Sequence, residues 1–196
     1  MSDDEPRAPV PERPLLHGVR VWLRPLEARD MPAYVAGIND TQVGGRAGYR
    51  MPMSLEQATA WHGRTLEQSM SGEGFFFAVC ELGDDRFIGT TWLKEVNRLD
   101  GNAELAIYMD RDHIGSGWGT DAQHALLAFG FGTLGLERIW LTVHDDNARA
   151  IRSYEKVGFQ REGVMRRSVR VDGELTDSVL MSILRDEWRS SEKPSG

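Results

Sequence analysis

The sequence predicts a mixed α+β domain, a mostly antiparallel sheet of about seven strands with about four helices packed on it. Two observations carry that expectation. Residues 103–109 and 138–143 are short apolar runs separated by a helix-periodic segment, 121–131, whose Ala122, Ala125, Leu126 and Phe129 recur at three- and four-residue spacing. A helical crossover of that kind makes the two strands parallel neighbours. Elsewhere the strand-like runs are joined by short turn sequences, Gly83-Asp84-Asp85, Asp100-Gly101 and Asp172-Gly173, which make antiparallel hairpins. The parallel pair is therefore expected to be the one exception in the sheet.

Taken in order, residues 1–16 carry four prolines and scattered charges without periodicity, the pattern of a loose tail. The folded domain is expected over 17–188, with 189–196 a polar C-terminal tail. Val19, Val21 and Leu23 alternate along a first strand, 19–24, that Pro25 ends. Asp30 caps a short helix that tolerates Pro32 in its first turn and buries Met31, Val35 and Ile38. A glycine-rich loop over 40–52 follows, with Arg46, Tyr49 and Arg50 in it. Ser54 and Gln57 form a capping box, and Leu55, Ala58, Trp61 and Leu66 mark the apolar face of the next helix. Strands are expected over 75–81 and 87–96 before the one at 103–109. The helix over 121–131 ends at Gly130 and Gly132, another helix starts at Asn147, and a long hairpin, 159–171 and 174–184, completes the sheet. No repeat or linker divides the chain.

The chemistry gathers in two stretches. Ile114-Gly115-Ser116-Gly117-Trp118-Gly119-Thr120 lies between the first parallel strand and its helix. Alternate glycines let the backbone curl, and the helix behind them points N–H groups and the positive end of its dipole into the curl, a cradle for phosphate. It holds no lysine of the Walker type, so a pyrophosphate-bearing cofactor is expected rather than a nucleoside triphosphate being cleaved. In the second stretch Asn147 can cap a helix, Gly158 can end it, and Ala150, Ile151 and Tyr154 share one face. Ligands of such sheets collect at the carboxyl ends of parallel strands, where the glycine loop and residues 144–147 both fall.

As a pair, Ile114-Gly-Ser-Gly-Trp-Gly and the segment from Asn147 to Phe159 resemble the acetyl-coenzyme A-binding core of the GNAT superfamily of N-acetyltransferases. Within it they are most similar to the RimJ and RimL branch, which also resembles polyamine acetyltransferases. The likeness runs from about Val19 to about Trp188. The family pattern is Gln/Arg-x-x-Gly-x-Gly/Ala in the first motif, where this chain has Ile114, and Asn-x-x-Ala-x-x-x-Tyr-x-x-x-Gly-Phe in the second. The resemblance implies a single GNAT-like domain whose parallel pair splays to admit the pantetheine arm. It implies cofactor contacts at Ile107, Tyr108 and Met109, at Ile114, Gly115, Ser116, Gly117, Trp118, Gly119 and Thr120, and at Asn147, Ala150 and Tyr154. Tyr154 matches the tyrosine that gives a proton or hydrogen bond to the coenzyme A sulfur. Arg46 and Tyr49 fall where the family walls its acceptor pocket. Asp177 fits a recurrent aspartate of the RimL-like branch, available to an acceptor amine or to a structural ion pair.

Acetyl transfer from a thioester to an amine needs a deprotonated amine, a polarised carbonyl and a proton for the leaving thiolate, none of which requires a metal. Glu104, on the central strand, can take the amine's proton directly or through water, and His144 is a second candidate base. Thr142 stands where some N-terminal alanine acetyltransferases carry a glutamate, which argues against that subgroup. Arg111, Arg149, Arg152 and Lys156 are candidates to meet the cofactor's phosphates. Histidines 17, 62, 113, 124 and 144 show no metal-ligating spacing, and no metal is expected.

Composition narrows the partners. Across 196 residues, 30 acidic against 23 basic side chains leave a net charge of -7, which disfavours nucleic acid and suits a cationic or neutral acceptor. No apolar run approaches the ~20 residues of a membrane span, and Met1-Ser-Asp-Asp-Glu-Pro lacks the character of a signal peptide. A cytoplasmic enzyme is expected, with a homodimer as the candidate assembly. Cys80, in the run Phe75-Phe-Phe-Ala-Val-Cys80, reads as an inert core thiol. The function expected is transfer of an acetyl group from acetyl-coenzyme A to a primary amine of a small molecule, a polyamine, amino sugar or amino acid. The alternatives are a protein N-terminal acetyltransferase of the ribosomal-protein type and a non-catalytic acyl-coenzyme A sensor. A dinucleotide site using Gly115, Gly117 and Gly119 lacks its third glycine, which here is Thr120.

Overall fold

In a computed structural model of the chain the described residues are 11–12, 14–40, 43–44, 51–171 and 173–191. Arg46, Tyr49 and Arg50 lie outside them. The strands are β1 Leu16–His17, β2 Val21–Pro25, β3 Phe75–Glu81, β4 Phe87–Asn97, β5 Asn102–Met109, β6 Arg138–His144, β7 Gln160–Val171 and β8 Glu174–Leu184. They form one eight-stranded sheet in the order β1-β2-β3-β4-β5-β6-β8-β7. The α-helices are α1 Met31–Ile38, α2 Leu55–Ser71, α3 Trp118–Leu127, α4 Ala148–Lys156 and α5 Arg185–Ser191. Every adjacent pair of strands is antiparallel except β5 and β6, as the crossover through α3 requires.

The sheet is covered on both faces, and side-chain alternation decides which residue goes where. On β5, Ala103 and Leu105, with Ile107 and Met109, join the core beneath α3 and α4. Tyr108 joins a second core beneath α1 and α2, where its ring meets Tyr34 edge-on at 6.1 Å. A Cβ on Gly37 of α1 would lie 1.5 Å from the Tyr108 hydroxyl, so glycine is what lets that helix pack here.

Several expectations are corrected. Leu16, read as the end of a tail, pairs with Leu23. Val19 is exposed and β2 begins at Val21, because both faces of this strand are covered and its run Val21-Trp22-Leu23-Arg24 is buried throughout. Arg24 is only 6% exposed, and its guanidinium meets Asp30 and Asp85 at 2.7 and 2.6 Å. Asp30 therefore does not cap α1 with its side chain; its carboxylate binds Arg24 and accepts from Glu27 N–H. A charge so buried is tolerated only when paired. Cys80 packs in the same core, and burial pushes its thiol up to about 12, consistent with an inert group.

On α1 the buried face is Met31, Tyr34 and Ile38, with Val35 at its margin. On α2 the capping box of Ser54 and Gln57 forms as expected, but Leu55 and Leu66 are 46% and 48% exposed. The buried positions are Ala58, His62 and Thr65. These polar residues are admitted because His62 Nε2 bonds to Leu26 O at 2.9 Å and the Thr65 hydroxyl donates to His62 O at 2.8 Å. Gly130 and Gly132 do not stop the crossover helix; the chain continues as a π-helical turn over Ala128–Thr133. At the other end α5 runs past residue 188 to Ser191, and the Trp188 ring packs tilted against Phe131 at 5.4 Å.

Candidate active site

The parallel ladder is short. Asn102, Ala103 and Glu104 pair with Arg138, Ile139 and Trp140, and there the pairing stops, although β5 continues to Met109 and β6 to His144. The strands part like a fork, as the resemblance implied. A cleft of about 610 Å³ occupies the fork and is open to both faces of the sheet. Ile107, Met109, Gly119, Tyr154 and α4 lie on one side of it, and Trp92, Lys94, Glu104 and Ala106 on the other.

The glycine loop forms the mouth on the α3 side. Asp110 starts it by accepting His113 N–H at 3.1 Å. Gly115 and Gly117 have φ of +85° and +88°, a region L side chains rarely adopt, and this turns the chain into α3. Gly117 is the N-cap of α3 and provides no side-chain cap, so the first-turn N–H groups remain available to a ligand. Gly119 borders the cleft beside Ile107 and Met109. Ile114 packs half-buried against the α1/α2 core and also lines the cleft.

Ser116 and Trp118, expected cofactor contacts, are not among the cleft residues. Arg20 engages them both, donating to Ser116 O at 2.7 Å and lying 3.8 Å over the Trp118 ring. Arg20 went unread in the sequence because its partners are about a hundred residues away. Arg111 is also held elsewhere, in an ion pair with Asp40 at 2.5 Å.

Asn147 caps α4 by accepting Ala150 N–H at 3.2 Å, and α4 buries Ile151 and Tyr154. Tyr154 is 8% exposed, packs edge-on to Phe159 at 5.8 Å and lines the cleft. Burial pushes its phenol up to about 12, so at neutral pH it keeps its proton and can donate. Ser153 joins α4 to α3 through Thr120 at 2.9 Å and Gln123 at 3.3 Å, a polar seam along the cleft that sequence reasoning missed. The three-residue spacing of Thr120 and Gln123 on one helix was its only signal. Arg149, Arg152 and Lys156 of α4 line the cleft as well.

Across the fork, Glu104 is half-buried rather than a solvated edge group, and its Oε1 lies 3.0 Å from Lys94 Nζ. Lys94 faces it across the β4–β5 register, and counting back through the turn at Asp100-Gly101 would have missed it, because Asn97 pairs with Asn102 and a bulge between Lys94 and Asn97 then shifts the register by one residue. Burial holds the Glu104 carboxyl above its ordinary range, while Lys94 pulls it down. His144 and Thr142 line the same end. Asp177 does not: its Oδ1 accepts Arg167 N–H at 2.7 Å at a bulge of β7, and with Arg166 and Arg167 it borders a separate depression.

Residues 20–160 match the model of the acetyltransferase (GNAT) domain. The chain belongs to the GNAT acetyltransferases. Among its relatives, an uncharacterized N-acetyltransferase p20 of Bacillus licheniformis is 27% identical over 88% of this chain and 97% of its own length. The spermidine N(1)-acetyltransferase of Escherichia coli K12 is 28% identical over 93% of this chain and 95% of its own. Among solved structures, a spermidine N-acetyltransferase from Vibrio cholerae in complex with CoA and spermine superposes with a TM-score of 0.78, at 24% identity over 86% of this chain and 98% of that one. A probable acetyltransferase superposes at 0.79 with 23% identity, over 87% and 96%. The chain is thus an N-acetyltransferase of a family that uses acetyl-coenzyme A. The residues present fit that co-substrate, with the uncapped start of α3 for a pyrophosphate and three α4 cations for further phosphate charge. Among the described residues no group of His, Cys, Asp or Glu could hold a metal ion, and no helix is long and apolar enough to cross a membrane.

Proposed function

We propose that this enzyme acetylates the primary amine of a small molecule by direct attack, with Glu104 as base and Tyr154 as acid. The observation that carries the reading is the fork itself. It puts a carboxylate and a protonated phenol on opposite sides of one cleft that passes between the strands. Acetyl-coenzyme A, when bound, supplies the acetyl thioester. Glu104 takes a proton from the incoming ammonium, and the freed nitrogen lone pair forms the amide bond as the carbon–sulfur bond breaks. Tyr154 delivers a proton to the departing sulfur, and the second proton that the nitrogen sheds on becoming an amide returns through solvent to the phenolate, so the one net proton released is the one taken by Glu104. Ile107 and Met109 give the arm an apolar wall, and the unpaired edge of β5 beyond Glu104 gives it backbone groups to bond. The motif pair supports placement in the RimJ/RimL-like branch.

The test is release of free thiol from acetyl-coenzyme A in the presence of amines. Tyr154→Phe is expected to lower kcat by ~10- to 1000-fold with little change in acetyl-coenzyme A affinity, since the hydroxyl acts on charge that appears only as the thiolate leaves. A Phe variant with unaltered turnover would reduce Tyr154 to core packing.

A further inference from the structure

We infer that the acceptor carries a carboxylate next to its amine, an amino acid rather than a polyamine; this rests on the acetyl-transfer reading and narrows it. Glu104 is the one carboxylate among the described residues lining the cleft, and its charge is already matched by Lys94 at 3.0 Å. The remaining cleft cations, Arg149, Arg152 and Lys156, belong to α4 on the cofactor side. Among the described residues lining the cleft, the other titratable groups are His113, His144, Tyr108 and Tyr154. Asp177, the other acidic candidate, is turned to Arg167 away from the cleft. Among the described residues the acceptor end therefore presents one positive and one negative charge side by side, Lys94 and Glu104.

A polyamine would bring further ammonium groups to a wall that has no unpaired carboxylate among the described residues, and each would lose water without gaining a counter-charge there. An α-amino acid brings two opposite charges spaced much as the Glu104 and Lys94 groups are. Its ammonium turns to Glu104 and its carboxylate to Lys94, so one ion pair becomes a head-to-tail ring and no charge is stranded. The proton Glu104 removes is then the ammonium's own. The net charge of -7 over the whole chain does not reverse this preference, because charges beyond the Debye length of ~8 Å are screened while the contacting pair is not.

The experiment is a thiol-release panel at saturating acetyl-coenzyme A, with the common amino acids, alanine amide, spermidine, glucosamine and a peptide beginning in serine. At least one amino acid should exceed alanine amide and spermidine in kcat/KM by about tenfold or more. Lys94→Met should raise the KM for that amino acid about tenfold. Because Lys94 also pairs with Glu104, kcat is expected to fall for every amine, whereas the KM for alanine amide and the calorimetric affinity for acetyl-coenzyme A should be unchanged, the latter also reporting that the variant is folded. Preference for spermidine, glucosamine or the peptide overturns the acceptor assignment and leaves acetyl transfer standing. An unchanged KM in Lys94→Met does the same. Thiol release with no amine at all overturns both.

Discussion

Glu104 owes its chemistry to where its strand has been put. In the sequence it is one carboxylate among many, but β5 turns it into the fork, where burial raises its pKa and Lys94 opposes that rise, with Glu95 adding a small repulsion. The sign of the consequence is fixed. A carboxyl with a raised pKa stays protonated to a higher pH than a solvated one, whose pKa is about 4.3, and only its deprotonated form can take the amine's proton. kcat/KM should therefore fall as pH drops through a limb lying above the ordinary carboxylate range. Glu104→Gln should lower the rate and abolish that limb. A pH profile unchanged in shape would assign the base to another group, with His144 the next candidate in the cleft.

At the scale of elements, the glycine loop is held by a strand far from it in sequence. Asp121, in the first turn of α3, accepts the N–H groups of Val19, Arg20 and Val21 at 2.8, 2.7 and 3.0 Å. Its carboxylate also suits the positive end of the α3 dipole. Through this clamp the start of β2 is fixed against α3, and Arg20 is placed to hold the Ser116 carbonyl and the Trp118 ring. Asp121→Ala leaves these N–H groups to water and should cost about 1–2 kcal/mol, toward the lower end of charged hydrogen bonds because two of the contacts are solvent-exposed. Urea unfolding should show the midpoint falling with an unchanged slope. A midpoint equal to that of the parent would mean that the clamp contributes nothing net.

For the molecule as a whole, the fork couples binding to stability. The cleft is walled by β5, β6, α3 and α4, which also build the larger core, so a ligand filling it engages only the folded state. At a hundredfold excess over Kd, linkage adds about 2.7 kcal/mol, which for a domain of this size is a rise in Tm of about 5–10 °C. Acetyl-coenzyme A should produce that shift in differential scanning calorimetry and NADH should not. The reverse result would restore the dinucleotide reading of the glycine loop.

The elements themselves were legible in the residues. Period-two and period-3.6 patterns, the turns at Gly83 and Gly101 and the caps at Ser54 and Asn147 are local signals, and local signals survive without knowledge of the fold. So are the glycine loop before α3 and the capped helix that carries Tyr154, because a curl and a capped helix are written in consecutive residues. What the tertiary structure decided is pairing at a distance. Arg24 is buried because Asp85 and Asp30 meet it, Asp121 clamps a strand about a hundred residues away, and Glu104 is a base candidate because the β4–β5 register sets Lys94 opposite it and the β5–β6 ladder ends there. Asp177 went the other way, drawn out of the cleft by a bulge in β7. A side chain's partners depend on register and packing, which no single segment encodes, and in a cleft of mixed charge those partners determine which amine can enter.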